Sequence, residues 1–483
     1  MKFFNTIFTC GVVLFLLIIW IPVEAAWASY CFNNYDLGIY SQAIQQLSWT
    51  NLNPWLSVRN LFLFNDHFEP VFFLFQPFKS FLPVSLMAIR VDTIAVIVAA
   101  LAPVWLRRKK VISSDVAICG AAIILFSPLT LDASFFPAHP GTWSMAPLAW
   151  MFAFLITRRD GAAIFMFVLI CFCKEEYPVM GFVLGASLFY GDRKKIGGWF
   201  CFISAVWGVG VFVVRPWMIG PARQYTDAVS QGTGLLMFLE PQGLKKLVMR
   251  HLQLFLPLVP LLCWSSVSWS IGHLFKVVRH RVLLPMICLL AMLGIRFAGG
   301  FWDNHRVAPL AVISAFVVIY WLGDRPLARR KIQWFTLLLL ALSFPSLELG
   351  SRYWRGKSFK KHCPTSEGRL ESLRVAADYL RHHVDGAVLA SGNLIPPLVD
   401  LPGISHVGAA TGEEFKYFFV EKNLNRNTWP IEPQDFDRIE ESWRKNPSSR
   451  VVLDDEYILL LVLVHESIFE QQPYYPLINH SMR

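Results

Sequence analysis

Apolar residues along this chain gather into long runs separated by short polar stretches. Runs near the ~20 residues needed to cross a hydrocarbon core predict membrane-spanning helices. Eleven spans are predicted, at 5–26, 83–106, 111–131, 141–157, 161–173, 177–190, 196–217, 252–274, 282–298, 306–323 and 332–347. The first run follows Lys2 and ends at Val23-Glu24-Ala25-Ala26. It resembles a signal peptide but is longer than the usual apolar region of one, so an uncleaved first span is expected.

The polar stretches alternate in character. Five are basic: Arg107 to Lys110, Arg158-Arg159, Arg193 to Lys195, Lys276 to Arg281 and Arg325 to Lys331. The stretches between them hold carboxylates and histidines. Short basic loops mark the cytoplasmic side. The other loops, including a first outer loop at 27–82, and the C-terminal segment are therefore predicted outside. Two stretches break the pattern: Arg223, Lys245, Lys246 and Arg250 in one outer loop, and Arg352 to Lys361 after the last span. Long loops and tails are weakly constrained by the rule. Residues 234–250 read as an amphipathic stretch on the outer membrane surface.

The fifth and sixth spans are short, with Lys174-Glu175-Glu176 between them and basic residues at both outer ends. Thirteen residues at ~1.5 Å each reach only ~20 Å, less than a ~30 Å core. The Lys-Glu-Glu turn is therefore expected in a recess below the outer surface, where charge is costly and usually functional. The structural alternative is a salt bridge within the turn itself, pinning a helical hairpin.

From about residue 348 the chain turns polar. Residues 367–384 predict a helix, 387–391 and 450–454 predict strands, and 393–398 a turn or short helix. The expected fold is an α-helical polytopic membrane protein of about eleven spans at 1–347, with a small α/β extracytoplasmic domain at 348–483. No glycine-rich phosphate loop supports nucleotide binding.

Composition agrees. The 483 residues are 55% hydrophobic and 16% charged, against roughly 25% charged in soluble domains. The net charge of +10 lies largely beside apolar runs, which points to topology and not to nucleic acid. Seven cysteines sit in or beside apolar runs. Cys31 and Cys363 do not, and a bridge between them would fit an oxidising side.

The ionisable residues outside the basic loops are the candidate chemistry. Asp36 follows the first span, and as a base or metal ligand it would work at the membrane surface; as a helix cap it would be structural. His67 and Glu69 lie in Asp66-His67-Phe68-Glu69-Pro70, and His139 in a proline-flanked turn. Arg296, Asp303, His305 and Arg306 surround the entry to the tenth span. The arginines could snorkel or grip a phosphate with their planar forks. Carboxylates for proton abstraction beside cations for a phosphate leaving group suit sugar transfer from a polyprenyl phosphate to an acceptor hydroxyl.

In order, DLGIYSQ at 36–42, HFEP at 67–70, the His-Pro turn at 139–140, KEE at 174–176, HRVAPL at 305–310, VLASGNLIPPL at 388–398 and VVLDDEY at 451–457 resemble a bacterial family of predicted membrane proteins. That family is a domain of unknown function placed in the GT-C glycosyltransferase superfamily. The resemblance implies a GT-C-like fold, a catalytic acid in the first outer loop and a lipid-linked sugar donor. Asp36 matches that acid directly. The family often has an acid where Ser41 stands and another soon after the His-Pro turn, where Gly141 and Thr142 stand; an aromatic is common where Arg306 stands.

The resulting expectation is a glycosyltransferase of the bacterial inner membrane acting at its extracytoplasmic face. Asp36, Glu69, Glu175 and Glu176 are the catalytic carboxylates. His67, His139, Lys174, Arg296, Asp303, His305 and Arg306 contact substrate. The sequence assigns no cofactor, a divalent metal is compatible, and the partners are lipid-linked donor and membrane lipid. The alternatives are a transporter or flippase of a lipid-linked or polar solute, for which Asp92 and Asp115 in or near spans would speak, and a non-catalytic scaffold.

Overall fold

The computed structural model describes residues 2–31, 35–191, 193–219, 285, 287–293, 304–323, 366–401, 403–407, 415–422 and 431–464. The predicted spans 252–274 and 332–347, most of 282–298, and the amphipathic stretch 234–250 lie outside them.

The N-terminal apolar run forms α1 (Lys2–Phe15), a π-helical turn (Leu16–Trp20) and α2 (Ile21–Ala28), continuous as one candidate span over Phe4–Ala28. The segment after it builds α3 (Tyr35–Gln46), a small hairpin of β1 (Trp55–Leu56) and β2 (Leu61–Phe62), and α4 (Leu63–Asp66). A 3₁₀ run, Pro70–Phe78, leads to α5 (Val84–Arg108).

Next come α6 (Ser114–Phe126) and α7 (Pro128–Ser134), bent by 41° where Ser127 precedes Pro128. The residue before proline is pushed out of helical geometry, which breaks the predicted third span there. The fourth is likewise divided, into α8 (Pro140–Trp143) and α9 (Met145–Ile156). Then follow α10 (Asp160–Cys173), α11 (Tyr177–Tyr190), and α12 (Lys194–Val209), which runs through a π-helical turn into α13 (Arg215–Ile219). α14 (Asn304–Gly323) is the last described apolar helix.

Among the described residues, three helices are long and apolar enough to cross a membrane: Phe4–Ala28, Val84–Arg108 and Lys194–Ile219. The bent α6–α7 pair makes a fourth if it is one span, and α10, α11 and Arg306–Tyr320 are shorter apolar helices. The chain is a multi-pass membrane protein; the count of eleven is not reached among the described residues.

The C-terminal segment holds α15 (Glu367–His383), β3 (Ala387–Ala390), β4 (Ser405–His406), β5 (Phe415–Glu421), α16 (Pro433–Lys445), β6 (Ser449–Asp454) and β7 (Ile458–Leu463). The strands form one mixed sheet in the order β4-β3-β5-β7-β6, parallel around β3 and antiparallel around β7. Strand side chains alternate faces. Val388, Ala390, Tyr417, Phe419, Ile458 and Leu460 therefore join the main core shared with the apolar helices. Leu389, Phe418, Val420, Leu459 and Leu461 join Phe436 of α16 on the other face. Burial on both faces explains why β5 and β7 read as almost unbroken apolar runs.

Candidate functional site

Asp36 lies in the first turn of α3, and its Oδ2 is 3.1 Å from Nε2 of His139. His139 Nδ1 lies 2.9 Å from the Phe136 carbonyl. That carbonyl can only accept, so Nδ1 carries a proton. The ring's Nε2 is the atom turned to Asp36. The histidine is fully buried, while the Asp36 carboxylate is 33% exposed. Phe136 stacks on the imidazole at 4.8 Å and Tyr40 meets it edge-on at 5.5 Å.

A carboxylate inside α5 holds this turn. Asp92 accepts hydrogen bonds from the backbone N–H of Ala138 at 2.6 Å and of His139 at 3.3 Å. Ala138 has φ of 71°, a left-handed conformation that costs a non-glycine residue energy and needs such support. The Asp92 that the sequence offered in favour of a transporter is thus the acceptor that shapes the His139 turn.

The second group centres on the α10–α11 turn. Lys174 Nζ bonds Glu69 Oε1, and His67 Nδ1 bonds Glu175 Oε1 at 2.7 Å. All four are buried. The pairing corrects the alternative of a salt bridge within the turn: lysine reaches across to Glu69, between α4 and α5, instead of to its own neighbours. Two fourteen-residue helices flank this turn, each about 21 Å long at ~1.5 Å per residue. Glu176 is buried at the head of α11 but stands outside this group.

Charges divide the titrations. Burial pushes the Glu69 carboxyl upward, and the Lys174 and His67 charges offset this only in part. Burial also presses on Glu175, yet the His67 and Lys174 charges hold it well below the usual carboxylate range. Burial and Lys174 depress His67, but the Glu175 and Asp66 charges lift it above its ordinary value. Burial depresses Lys174, and Glu69 and Glu175 raise it on balance. Burial opposes ionisation of Asp36, and the His139 bond and charge reverse the sign, so its pKa is lowered.

The ligand atoms of His67, Glu69 and Glu175 lie within 4.8 Å of one another, a set able to hold a divalent ion. Oε2 of Glu69 and of Glu175 are both buried without a hydrogen-bond partner. Lys174 weighs against an ion, because its ammonium already neutralises Glu69. Two charges of each sign close the group as it stands.

Arg306 ties the two groups together: its charge acts on Asp36, on Tyr40 and on Lys174. His305 lies beside it in α14, with its side chain outside the described set; Arg296 and Asp303 lie wholly outside the described residues. Sequence reasoning missed two residues. Tyr40 lies one turn after Asp36 on the same face of α3. Arg59 has its Nε 3.3 Å from Asp66 and its charge reaching Asp36. The i, i+4 spacing could have revealed Tyr40; nothing in the sequence tied Arg59 to Asp36.

With this geometry in view, the structure is similar to ArnT from Cupriavidus metallidurans bound to undecaprenyl phosphate, at a TM-score of 0.52 and 13% identity, over 96% of this chain and 100% of that one. The chain is ArnT-like in fold. The apo state of ArnT from the same organism aligns at 0.49 and 12% identity, over 94% and 98% of the two chains. No protein-family model and no curated protein matches the sequence. The likeness to ArnT is one of fold alone. At this identity it is a likeness of architecture, and site residues rest on the geometry above.

Proposed function

We propose that this protein is a membrane glycosyltransferase that moves a sugar from a polyprenyl-phosphate donor to an acceptor at the extracytoplasmic face of a bacterial inner membrane. The observation that carries the reading is the one-third-exposed Asp36 carboxylate, kept ionised by His139 and lying within the field of Arg306, whose charge also reaches the buried Lys174–Glu69 pair. The ArnT-like fold supports it, since that neighbour is described bound to undecaprenyl phosphate.

In this reading Asp36 accepts the proton of the acceptor hydroxyl as its oxygen attacks the sugar's anomeric carbon, and the bond to the lipid phosphate breaks. Arg306, with Arg296, stabilises the departing phosphate. His139 holds Asp36 in place. Lys174, His67, Glu69 and Glu175 form the buried charged group of the site, Glu176 supports the turn, and Asp303 and His305 are assigned to substrate contact from the sequence alone. If a divalent ion binds, His67, Glu69 and Glu175 are its ligands.

We assign 1–347 as the catalytic membrane domain and 348–483 as an extracytoplasmic domain. Cys31 is disulfide-bonded, and such bonds persist in oxidising compartments, which supports placing the first loop outside.

Purified protein supplied with labelled polyprenyl-phosphate sugar should transfer label to an acceptor. Asp36→Asn should abolish transfer while the melting temperature stays near that of wild type. Full activity in that variant would remove Asp36 from the mechanism, and no transfer by wild type with any polyprenyl donor would count against the function.

A further inference from the structure

α3 is gripped on two faces. Asp36 and Tyr40, one turn apart, face His139. Gly38 and Gln42, also one turn apart, face the C-terminal segment. A Cβ at Gly38 would stand 3.2 Å from Cγ2 of Ile395, so only a bare backbone fits without a shift. Gln42 Nε2 donates to the Ile404 carbonyl at 3.1 Å and to Ser57 Oγ at 2.7 Å, and its Oε1 accepts from Val58 N–H at 3.0 Å. Ser57 Oγ donates to the same Ile404 carbonyl at 2.6 Å, and Ser405 Oγ donates to the Ser57 carbonyl at 2.8 Å.

A second clasp closes on the chain just before α3. The carbonyls of Ser29 and Tyr30 lie just past the end of α2. Arg369 of α15 donates to them, to the Ser29 carbonyl at 2.8 Å and the Tyr30 carbonyl at 3.5 Å. The same guanidinium grips Glu421 of β5 at 2.5 and 3.1 Å. Asn393 donates to the Tyr30 carbonyl at 3.2 Å and to Glu421 at 2.5 Å. Arg369 and Glu421 are 1% and 2% exposed. A buried ion pair is costly unless fully hydrogen-bonded, and this one is completed by the carbonyls of a segment some 340 residues away.

Asp36 lies between the two clasps. We propose that the C-terminal sheet sets the position of Asp36 against His139, with Arg369 and Gln42 as positioning residues that never touch substrate. The kinetic arm of the test rests on the transferase reading; the exchange arm does not.

The full-length protein in detergent is compared as wild type, Arg369→Gln, Arg369→Lys and Gln42→Met. Displacing Asp36 by about an ångström should lower kcat on the order of a hundredfold with KM little changed. As Asp36 loses the His139 contact its carboxyl rises, so the acidic limb of the pH–rate profile moves to higher pH. Lysine, lacking the fork, should not restore Arg369. Amide exchange over 35–46 should quicken in both Arg369→Gln and Gln42→Met, while α5 and α6 keep their protection. Unchanged exchange over 35–46 in both variants would overturn the proposal, as would a lower kcat with the acidic limb unmoved. If Arg369→Gln loosens the whole chain, Gln42→Met decides by the same two readouts. If wild type transfers no sugar, the transferase reading fails while exchange over 35–46 still decides the positioning role.

Discussion

At the scale of single residues, the site is a problem in placing charge where water is scarce. His67 and Glu175 give it a pH signature. His67 is raised, so its contribution is complete below its ordinary value near ~6.5 and is lost as pH rises through the folded value. Glu175 is lowered, so its contribution is complete above about 4.3 and is lost as pH falls through the folded value. The difference in Tm between wild type and Glu175→Gln should therefore be largest between about pH 4.3 and 6.5 and shrink on both sides; a difference flat across pH would refute the pairing. Glu69→Gln leaves Lys174 buried beside an amide, and losing one partner of a buried pair costs about 3–5 kcal/mol, readable as a large drop in Tm. Asp92→Asn keeps one acceptor oxygen for two N–H donors, so the strained Ala138 should relax. The expected result is a loosened His139–Asp36 contact, seen as a changed NMR chemical shift of the His139 ring, with the spans still folded.

At the scale of elements, close approach of backbones does what side chains cannot. α11 and α12 meet through glycines: a Cβ on Gly197 would lie 2.4 Å from Phe189 N, and one on Gly185 would lie 2.8 Å from Cys201 N. Small residues at such contacts let apolar helices pack in a medium that offers no hydrophobic drive. Gly197→Ala meets backbone, which has nowhere to go, and overpacking of this kind costs about 1–3 kcal/mol; thermal unfolding in detergent measures it. Most of these elements were legible from the sequence, because span length, basic loops and proline positions are local properties. The helix at 367–383 and the strands at 387–390 and 449–454 lie where their patterns put them. The break at Ser127-Pro128 was missed because an unbroken apolar run hides a kink that hydropathy does not register. α3 begins at Tyr35, so Asp36 lies inside its first turn and not at its cap.

At the scale of the whole molecule, the core is continuous from the apolar helices into the C-terminal sheet, so the two parts behave as one body at the site. Cys31 is disulfide-bonded, and the sequence offers Cys363 as a partner outside the apolar runs; non-reducing peptide mapping should find Cys31 joined to Cys363. Sidedness is tested by single cysteines at Glu371 and Lys109, both exposed. An impermeant maleimide should label position 371 in intact cells and position 109 only after permeabilisation. The sequence by itself determined that the chain is a multi-pass membrane protein and where many of its described apolar helices run, because hydropathy acts locally along the chain. Only the tertiary structure decided that Asp36 meets His139, that Lys174 pairs with Glu69 and not with its neighbours, and that Asp92 and Arg369 hold backbone from afar. Those are contacts between positions from about 46 to 340 residues apart, and burial, which makes each charge seek the partner that desolvation leaves within reach, is a property no linear pattern records.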